Sequence, residues 1–202
     1  MQYTIGEISK ILNATFVGPS PDSKVTRLLT DSRSLSFPEE TLFFAIVTLH
    51  GNGHAYIPEL YSRGVRCFVV SSADAIEACP DANFILVKDT VAALQSLAAR
   101  HRSLFDIPVV GITGSDGKTI VKEWLYHLTA GKYLVTRSPR SYNSQIGVPL
   151  SVWMLGEEST LGIFEAGISL PHEMERLQKI IRPTIGILTN ISGAHQENFT
   201  TM

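Results

Sequence analysis

The stretch Gly111–Thr119 reads GITGSDGKT, and it decides the fold of the second half of this chain. It follows the short apolar run Val109-Val110 and opens a segment with helical periodicity. A glycine-rich turn that ends in Gly-Lys-Thr between a strand and a helix is typical of a phosphate-binding loop. Backbone amides and the helix N-terminus would face the phosphates, Lys118 would supply positive charge, and the Thr119 hydroxyl would ligate Mg²⁺. The pattern therefore predicts a nucleoside triphosphate site.

The spacing of this loop differs from the standard Walker A pattern, which has four residues between its first glycine and Gly-Lys. Gly111 lies one residue too far away and Gly114 two residues too close. A glycine-rich turn without a ligand is the alternative interpretation. The residues that follow favour a helix over 119–130, because they repeat an apolar side chain at helical spacing. That stripe, which we expect to face the core, consists of Ile120, Val121, Trp124, Leu125 and Leu128.

Composition indicates a globular protein. The chain has 202 residues, of which 44% are hydrophobic and 18% charged, and a net charge of −2. This balance suggests neither nucleic acid nor a membrane surface as a partner. The two cysteines, Cys67 and Cys79, lack metal-ligand spacing, and we interpret them as reduced thiols of a cytoplasmic protein.

Two α/β units follow from the pattern of elements, with a boundary near Ile107-Pro108. We predict a small domain over residues 1–105, which begins with a capping box at Thr4–Glu7. Its predicted strands are Val25–Leu29, Leu42–Ile46, Val65–Val70 and Phe84–Val87, and its later helices are 56–63, 73–79 and 90–102. Residues 106–202 form the second unit. Its predicted strands are 109–112, 133–136, 161–164 and 184–189, and its helices are 119–130 and 171–181.

Alternating strands and helices imply a parallel sheet, whose ligands gather at the carboxyl ends of the strands. The phosphate loop lies at one such end, and Glu165 ends the strand Leu161–Phe164. Thr189 and Asn190 end the next strand, with His195 shortly beyond. We expect these groups to converge on one site.

Four ordered motifs together resemble the Mur ligases, the ATP-dependent amide-forming enzymes of bacterial peptidoglycan synthesis. They are TGSDGKT at 113–119, NSQIGVP at 143–149, FEAGIS at 164–169, and TNI at 189–191 followed by AHQENF at 194–199. The short phosphate loop fits this family. Residues 30–33 (TDSR), 42–45 (LFFA), Gly53-His54 and Tyr56-Ile57 resemble its UDP-binding domain. The resemblance covers nearly the whole chain and is greatest to the member that adds D-alanyl-D-alanine.

The resemblance implies a small α/β UDP-sugar-binding domain followed by the first part of a P-loop parallel-sheet domain. It also implies a reaction in which ATP phosphorylates the terminal carboxylate of a UDP-N-acetylmuramoyl tripeptide, and the amine of D-Ala-D-Ala displaces the phosphate. Lys118, Glu165 and His195 would be catalytic, and the residues from Gly114 through Ser115, Asp116 and Gly117 to Thr119 would bind nucleotide. By the same resemblance Thr119, Glu165 and His195 would hold Mg²⁺. The UDP-sugar would contact Ser32, Arg33, His54 and Asn143.

Two features depart from the family pattern. Asp116 stands where the family usually has asparagine, and we expect its carboxylate to repel the triphosphate and weaken ATP binding. The chain is also shorter than the three-domain family members. We therefore expect an inactive fragment whose partners include the C-terminal domains of the same protein, and whose open sheet edge favours self-association.

Other interpretations stay open. A family member that adds the third amino acid fits the same motifs. Folylpolyglutamate synthetases lack a UDP-binding domain, so residues 1–105 argue against them. A non-catalytic UDP-sugar-binding module with a vestigial nucleotide site is favoured by Asp116. A generic P-loop kinase or GTPase is the weakest alternative, because the loop spacing differs and no aspartate ends the strand 161–164.

Overall fold

The structure, a computed structural model, describes residues 2–48 and 51–192. The chain divides into two compact units, Met1–Leu97 and Ala98–Met202, each with its own core. The division between the units falls within a long helix, before the predicted domain boundary at residue 105. The assignment of residues 1–105 and 106–202 to two functional domains remains a prediction. Within the described ranges, no helix has the length and apolar character needed to cross a membrane.

The first unit contains a five-stranded mixed sheet with helices beside it. Its strands are β1 (Tyr3–Thr4), β2 (Thr15–Val17), β3 (Lys24–Val25), β4 (Arg27–Leu29), β5 (Thr41–Phe44), β6 (Val47–Thr48), β7 (Gly51–Asn52), β8 (Cys67–Val70) and β9 (Asn83–Leu86). Its helices are α1 (Ile5–Ile11), α2 (Ile57–Ser62) and α3 (Thr90–Arg102), the last of which continues into the second unit. The main sheet has the order β2-β9-β8-β5-β4, and only β2 is antiparallel to its neighbour.

The predicted start of the first unit is confirmed at atomic detail. Thr4 and Glu7 form the capping box, in which the Glu7 amide donates to Thr4 Oγ1 at 3.2 Å and the Thr4 amide donates to Glu7 Oε2 at 2.8 Å. Ile5 and Ile8 are fully buried on the inner face of α1. The helix 90–102 also has its predicted bounds, because Asp89 Oδ1 accepts from the amides of Val91 and Ala92.

The second unit is a four-stranded, fully parallel sheet with the order β11-β12-β10-β13. Its strands are β10 (Val109–Thr113), β11 (Val135–Arg137), β12 (Leu161–Glu165) and β13 (Ile185–Leu188), and its helices are α4 (Lys118–Thr129), α5 (Gly147–Val152) and α6 (Glu173–Ile181). Apolar clusters form on both faces of the sheet. One holds Phe164, Val148 and Leu177, and the other holds Ile112 and Ile163 with Val121 of α4. The predicted α/β class with a parallel sheet is confirmed.

One local prediction is wrong, and one helix was not predicted. The segment 73–79 forms successive turns instead of a helix, with the Ile76 amide bonded to Ala73 O and the Cys79 amide to Ile76 O. Pro80 disfavours helical backbone at the residue before it, which explains the interruption. The helix that was not predicted is α5, which begins within the NSQIGVP motif and extends three residues beyond it. The Gly147 amide donates to Ser144 Oγ at 3.1 Å, and a proline in the first turn is compatible with a helix.

The apolar stripe of α4 is only half correct. Val121 and Leu125 pack partly buried against the sheet, as predicted. Ile120, Trp124 and Leu128 are instead 58%, 67% and 81% exposed. Lys122 occupies a fully buried position on the same helix. Helical periodicity identifies residues that share a face, but the loop before α4 and the sheet beside it decide which face is covered.

Candidate nucleotide and substrate sites

The phosphate loop needs glycine at two positions for different reasons. Gly114 has φ of +134°, and a Cβ there would lie 2.1 Å from Thr189 Oγ1, so the loop touches the segment after β13 directly. Gly117 has φ of +81° and immediately precedes α4. A Cβ on Gly117 would meet no described atom within 4 Å. The loop is therefore tightly packed at Gly114 and open at Gly117.

Hydrogen bonds connect the phosphate loop to residues 189–192, which follow β13. The amide of Ser115 donates to Asn190 O at 3.0 Å, and the amide of Asp116 donates to Asn190 Oδ1 at 2.8 Å. Thr189 Oγ1 donates to Asp116 O at 2.6 Å. The Asp116 carboxylate accepts a hydrogen bond of 3.1 Å from Ser192 Oγ. The exposed carboxylate is thereby turned towards the 189–192 segment.

The first turn of α4 provides anion-binding groups. The amides of Lys118, Thr119 and Ile120 have no carbonyl one turn earlier in the helix, and among the described residues no side chain caps this end. The positive end of the helix dipole adds to their attraction for an anion. Lys118 Nζ donates to the carbonyls of Gly114 and Ser115, so the ammonium group lies over the loop itself.

Glu165 lies beneath this turn as the last residue of β12. Its side chain is fully buried, and its Oε2 accepts a hydrogen bond of 3.1 Å from Thr119 Oγ1. Its amide donates to Ser138 Oγ at 3.1 Å, which fixes the strand end to the segment after β11. The structure therefore brings together the phosphate loop and the glutamate that the sequence placed at a neighbouring strand end.

A buried lysine completes the environment of Glu165. Lys122 Nζ lies 2.9 Å from Glu165 Oε1 and 3.2 Å from Glu123 Oε1, and it also donates to Arg140 O. Arg137 binds the other oxygen of Glu123 at 2.9 Å. Burial alone would raise the pKa of Glu123, but the hydrogen bonds from Arg137 and Lys122 outweigh it and hold that pKa below its usual range.

The pair of Thr119 and Glu165 suits a hard divalent cation, because Mg²⁺ prefers carboxylate and other oxygen ligands. Among the described buried side-chain nitrogen and oxygen atoms, Glu165 Oε1 is the one that accepts no hydrogen bond, although it lies in the ion pair with Lys122. No cluster of three histidine, cysteine, aspartate or glutamate side chains occurs in residues 2–48 and 51–192. His195, the third predicted ligand, lies outside the described residues.

Asn143 contacts Gly167 of the FEAGIS motif, which also contains Glu165. The amide of Gly167 donates to Asn143 O at 2.8 Å, and a Cβ on Gly167 would come within 3.0 Å of the Asn143 side chain. Glycine at 167 therefore permits this close approach. Asn143 is half-buried, and Gly167, the residue it contacts, lies two residues beyond the carboxyl end of β12.

The candidate UDP-binding residues of the first unit follow the carboxyl ends of its parallel strands. Asp31-Ser32-Arg33 comes after β4, where Asp31 accepts from the Arg33 amide and binds the Arg33 guanidinium at 2.6 Å. This contact with Asp31 is the main reason that the pKa of Arg33 is raised, and Tyr56 makes a smaller contribution. Ser32 is buried and its carbonyl accepts from Arg63, whereas the Arg33 side chain is 87% exposed.

His54 lies at the same edge of the sheet. Its Nε2 accepts from the Ser71 amide at 3.0 Å, directly after β8, and its Nδ1 lies 2.7 Å from Asn52 Oδ1. Nδ1 therefore carries the hydrogen. Burial lowers the pKa of His54 and outweighs the opposing effect of Asp74. Gly53 lets this loop approach the end of β5, because a Cβ there would lie 2.6 Å from the Ile46 nitrogen.

Residues 112–202 match the family described as the Mur ligase middle domain. Three relatives named UDP-N-acetylmuramoyl-tripeptide–D-alanyl-D-alanine ligase extend the similarity into the first unit. The protein of Bacillus subtilis is 28% identical over 96% of this chain, that of Haemophilus influenzae 31% over 97%, and that of Borreliella burgdorferi 34% over 79%. The chain belongs to the Mur ligase family.

Solved structures agree with this assignment. A crystal structure of MurF from Acinetobacter baumannii shares the fold with a TM-score of 0.88 over the whole chain, at 24% identity. MurF ligase from Thermotoga maritima, solved in complex with ADP, has a TM-score of 0.75 over 87% of this chain at 30% identity. The chain spans 42% of the length of the Bacillus relative and 40% of the Thermotoga structure.

The sequence did not reveal every group that the structure places around the phosphate loop and Glu165. Ser138 and Ser192 were not predicted as site residues, since an isolated serine in a loop belongs to no recognisable sequence pattern. Lys122 is a further group that was not predicted, and the structure pairs it with Glu165. One signal was available: a lysine at this position lies one helical turn beyond the loop lysine, on the face that carries Thr119.

Proposed function

We propose that this chain provides the UDP-substrate and nucleotide sites of an ATP-dependent ligase that joins D-Ala-D-Ala to a UDP-N-acetylmuramoyl tripeptide. The observation that carries the proposal is the contact between Thr119 at the start of α4 and the buried Glu165 at the end of β12. It places hard oxygen ligands directly beneath a phosphate loop. The names of the relatives support the choice of reaction.

Each group of the nucleotide site has a defined task in this proposal. The amides at the start of α4 bind the phosphate oxygens of ATP, a ligand class supported by the ADP complex of the Thermotoga relative. Lys118, which donates to two loop carbonyls in this structure, donates to the β- and γ-phosphates when ATP is bound. Thr119 and Glu165 would hold Mg²⁺, with His195 as a further proposed ligand. The ion would supply positive charge that neutralises the transferred phosphoryl group.

The chemistry consists of two displacements. A carboxylate oxygen of the tripeptide attacks the γ-phosphorus of ATP, the bond to the β-phosphate oxygen breaks, and ADP leaves. The amine of D-Ala-D-Ala then attacks the acyl carbon, inorganic phosphate leaves, and the amine loses a proton as the amide forms. The protein contributes mainly position and charge to such a reaction. Asn143, held beside Gly167, is a proposed substrate contact near the reacting carboxylate.

The first unit supports recognition of the UDP portion. In a parallel sheet, ligands bind beyond the carboxyl ends of the strands, and Ser32, Arg33 and His54 all follow such ends. The exposed guanidinium of Arg33 suits a diphosphate, because arginine binds phosphate oxygens with two parallel hydrogen bonds. Both ring nitrogens of His54 are engaged, one by Asn52 of its own loop and one by the Ser71 amide after β8, so its proposed task is to shape this edge. The proposed location is the cytoplasm, where ATP is available.

Thermal unfolding with separate ligands tests the proposal. UDP-N-acetylmuramoyl tripeptide, UDP alone, Mg-ATP and the corresponding UDP dipeptide are added in parallel. A ligand at 100 times its dissociation constant stabilises the folded state by about 2.7 kcal/mol. We expect shifts with the tripeptide, with UDP and with Mg-ATP. No shift with either UDP-peptide would contradict the proposal.

The pattern of shifts also separates the alternatives. A greater shift with the dipeptide than with the tripeptide would indicate the family member that adds the third amino acid. Shifts with the UDP compounds but none with Mg-ATP would indicate a non-catalytic UDP-sugar-binding module. Uridine monophosphate is the control for the diphosphate contact of Arg33.

A further inference from the structure

Lys122 is the fully buried ammonium group of α4, in a helix that leaves Ile120 and Trp124 exposed to solvent. Burial of a lysine is costly unless its charge is paired and its donors are used. Glu165 and Glu123 pair the charge, and Arg140 O accepts a further hydrogen bond. These partners come from β12, α4 and the loop after β11, so the ammonium is held from three directions.

Thr119 and Lys122 reach the same carboxylate from one face of the helix. They are three residues apart, which places their side chains next to each other. Thr119 Oγ1 contacts Glu165 Oε2 at 3.1 Å, and Lys122 Nζ contacts Oε1 at 2.9 Å. The two contacts together define the rotation of the carboxylate group. Oε2 is presented to the first turn of α4, where the phosphates would lie.

Stability alone does not account for this ion pair. A buried pair seldom stabilises a protein relative to apolar residues of similar volume, because desolvation offsets the Coulomb attraction. Groups that orient a metal ligand, in contrast, strongly affect metal affinity. We propose that Lys122 is a positioning residue for Mg²⁺-dependent nucleotide binding, which fixes the Glu165 carboxylate beneath Thr119. The inference rests on the proposed nucleotide site and adds a residue to it.

The test compares ADP affinity with and without Mg²⁺ in the parent chain and in Lys122→Met, by isothermal titration calorimetry. Methionine has an unbranched side chain that is one atom shorter, and it removes the charge. We expect the enhancement of affinity by Mg²⁺ to fall by about 10-fold or more, while the affinity for metal-free ADP stays unchanged. Lys132→Met is the matched control, since Lys132 is exposed and contacts the ring of Tyr133.

The outcomes separate this inference from the proposed function. If the parent shows a Mg²⁺ enhancement and Lys122→Met retains all of it, the positioning role is overturned and the nucleotide site stands. If the parent binds ADP equally with and without Mg²⁺, the inference is overturned. The thermal unfolding measurement with UDP then tests the first unit independently. A parent that binds no ADP contradicts both.

A second measurement covers the case in which Lys122→Met does not fold. A crystal structure of the parent with Mg-ADP would show the pair directly. We expect Lys122 Nζ to remain bound to Glu165 while Glu165 contacts the metal. A lysine that has turned away from the metal-bound carboxylate would overturn the proposal. In the double variant Lys122→Met/Glu165→Gln we expect folding to return, because neither charge is then buried without its partner.

Discussion

Thr119 Oγ1 donates a 3.1 Å hydrogen bond to Glu165 Oε2 across 46 residues of sequence. This contact joins the first turn of α4 to the end of β12, and it is the point where the phosphate loop meets a buried carboxylate. The parallel register makes it possible, because Ile112 pairs with Glu165 and the loop leaves β10 just beyond that pair. Sequence motifs that seem unrelated in position are adjacent for this reason.

Substitution of Lys118 by methionine is expected to weaken Mg-ATP binding. The Lys118 ammonium lies over the loop and donates hydrogen bonds to Gly114 O and Ser115 O. When ATP binds, we expect it to donate to the phosphates instead. A hydrogen bond to a charged group contributes about 1.5–3 kcal/mol, which corresponds to about 10-fold or more in affinity. Calorimetric titration of Lys118→Met beside Lys132→Met measures the loss. Equal affinities in the two variants would argue against a phosphate contact.

Replacement of Asp116 by asparagine is expected to strengthen ATP binding. Asparagine has the same shape and still accepts the hydrogen bond from Ser192 Oγ, but it carries no charge to repel the triphosphate. The gain is expected to shrink as salt is added, because the carboxylate is exposed and screened. Titrations at low and high ionic strength measure both effects. An unchanged affinity at low salt would show that the turn of Asp116 towards Ser192 already removes the repulsion.

Alanine at Gly114 is expected to destabilise the second unit more than alanine at Gly117. Both positions have positive φ, a conformation that costs an L-residue about 1–2 kcal/mol. Only at 114 does the new Cβ collide, at 2.1 Å from Thr189 Oγ1, which adds about 1–3 kcal/mol of overpacking. Urea unfolding of the two variants gives the comparison. Equal losses of stability in the two variants would mean that the 189–192 segment moves away from the new Cβ at position 114 without cost.

Loss of the Arg33 guanidinium is expected to weaken UDP binding without a change in stability. Arg33 is 87% exposed, and an ion pair at the solvent-exposed surface, such as Arg33–Asp31, contributes little to folding. A charge-assisted contact to a diphosphate is worth about 10-fold or more in affinity. Arg27→Gln is the control, because Arg27 begins β4 and lies at the end of that strand opposite to the one that Arg33 follows. A similar loss of UDP affinity in both variants would contradict a specific contact.

Acidification is expected to destabilise the second unit through His101. Burial lowers the pKa of His101, although the contact between Nε2 and Leu155 O opposes this effect. The unfolded chain then binds more protons than the folded one below the ordinary histidine pKa of about 6.5. Stability is therefore fully present above that pH and falls as the pH drops towards the lowered value.

Denaturant unfolding between pH 7.5 and pH 5 tests this dependence. His101→Gln keeps a hydrogen-bond donor and removes the titration, so its stability should change less with pH than that of the parent. His54, whose pKa is also lowered by burial, belongs to the first unit, and His54→Gln separates its contribution. An identical pH dependence in His101→Gln and the parent would contradict the assignment.

Local sequence was sufficient where the signal lies within a few residues. The capping box at Thr4–Glu7 and the helix cap at Asp89 depend on side chains that bond amides two or three positions away. Such contacts form wherever the chain turns into a helix. The segment 73–79 shows the limit, because the sequence predicts a helix there and the structure forms turns, with Pro80 disfavouring helical backbone at the residue before it.

The sequence by itself determined the alternation of strands and helices, the phosphate loop with its glycines, and the position of Glu165 at a strand end. These depend on backbone preference and on periodicity, which are local. Only the tertiary structure decided that Lys122 points inward while Ile120, Trp124 and Leu128 remain exposed. The loop at Gly117 and the end of β12 fix the rotation of α4, so that the face with Thr119 and Lys122 meets Glu165. Contacts between distant strand ends, and not the apolar content of α4, determine which face of this helix is buried.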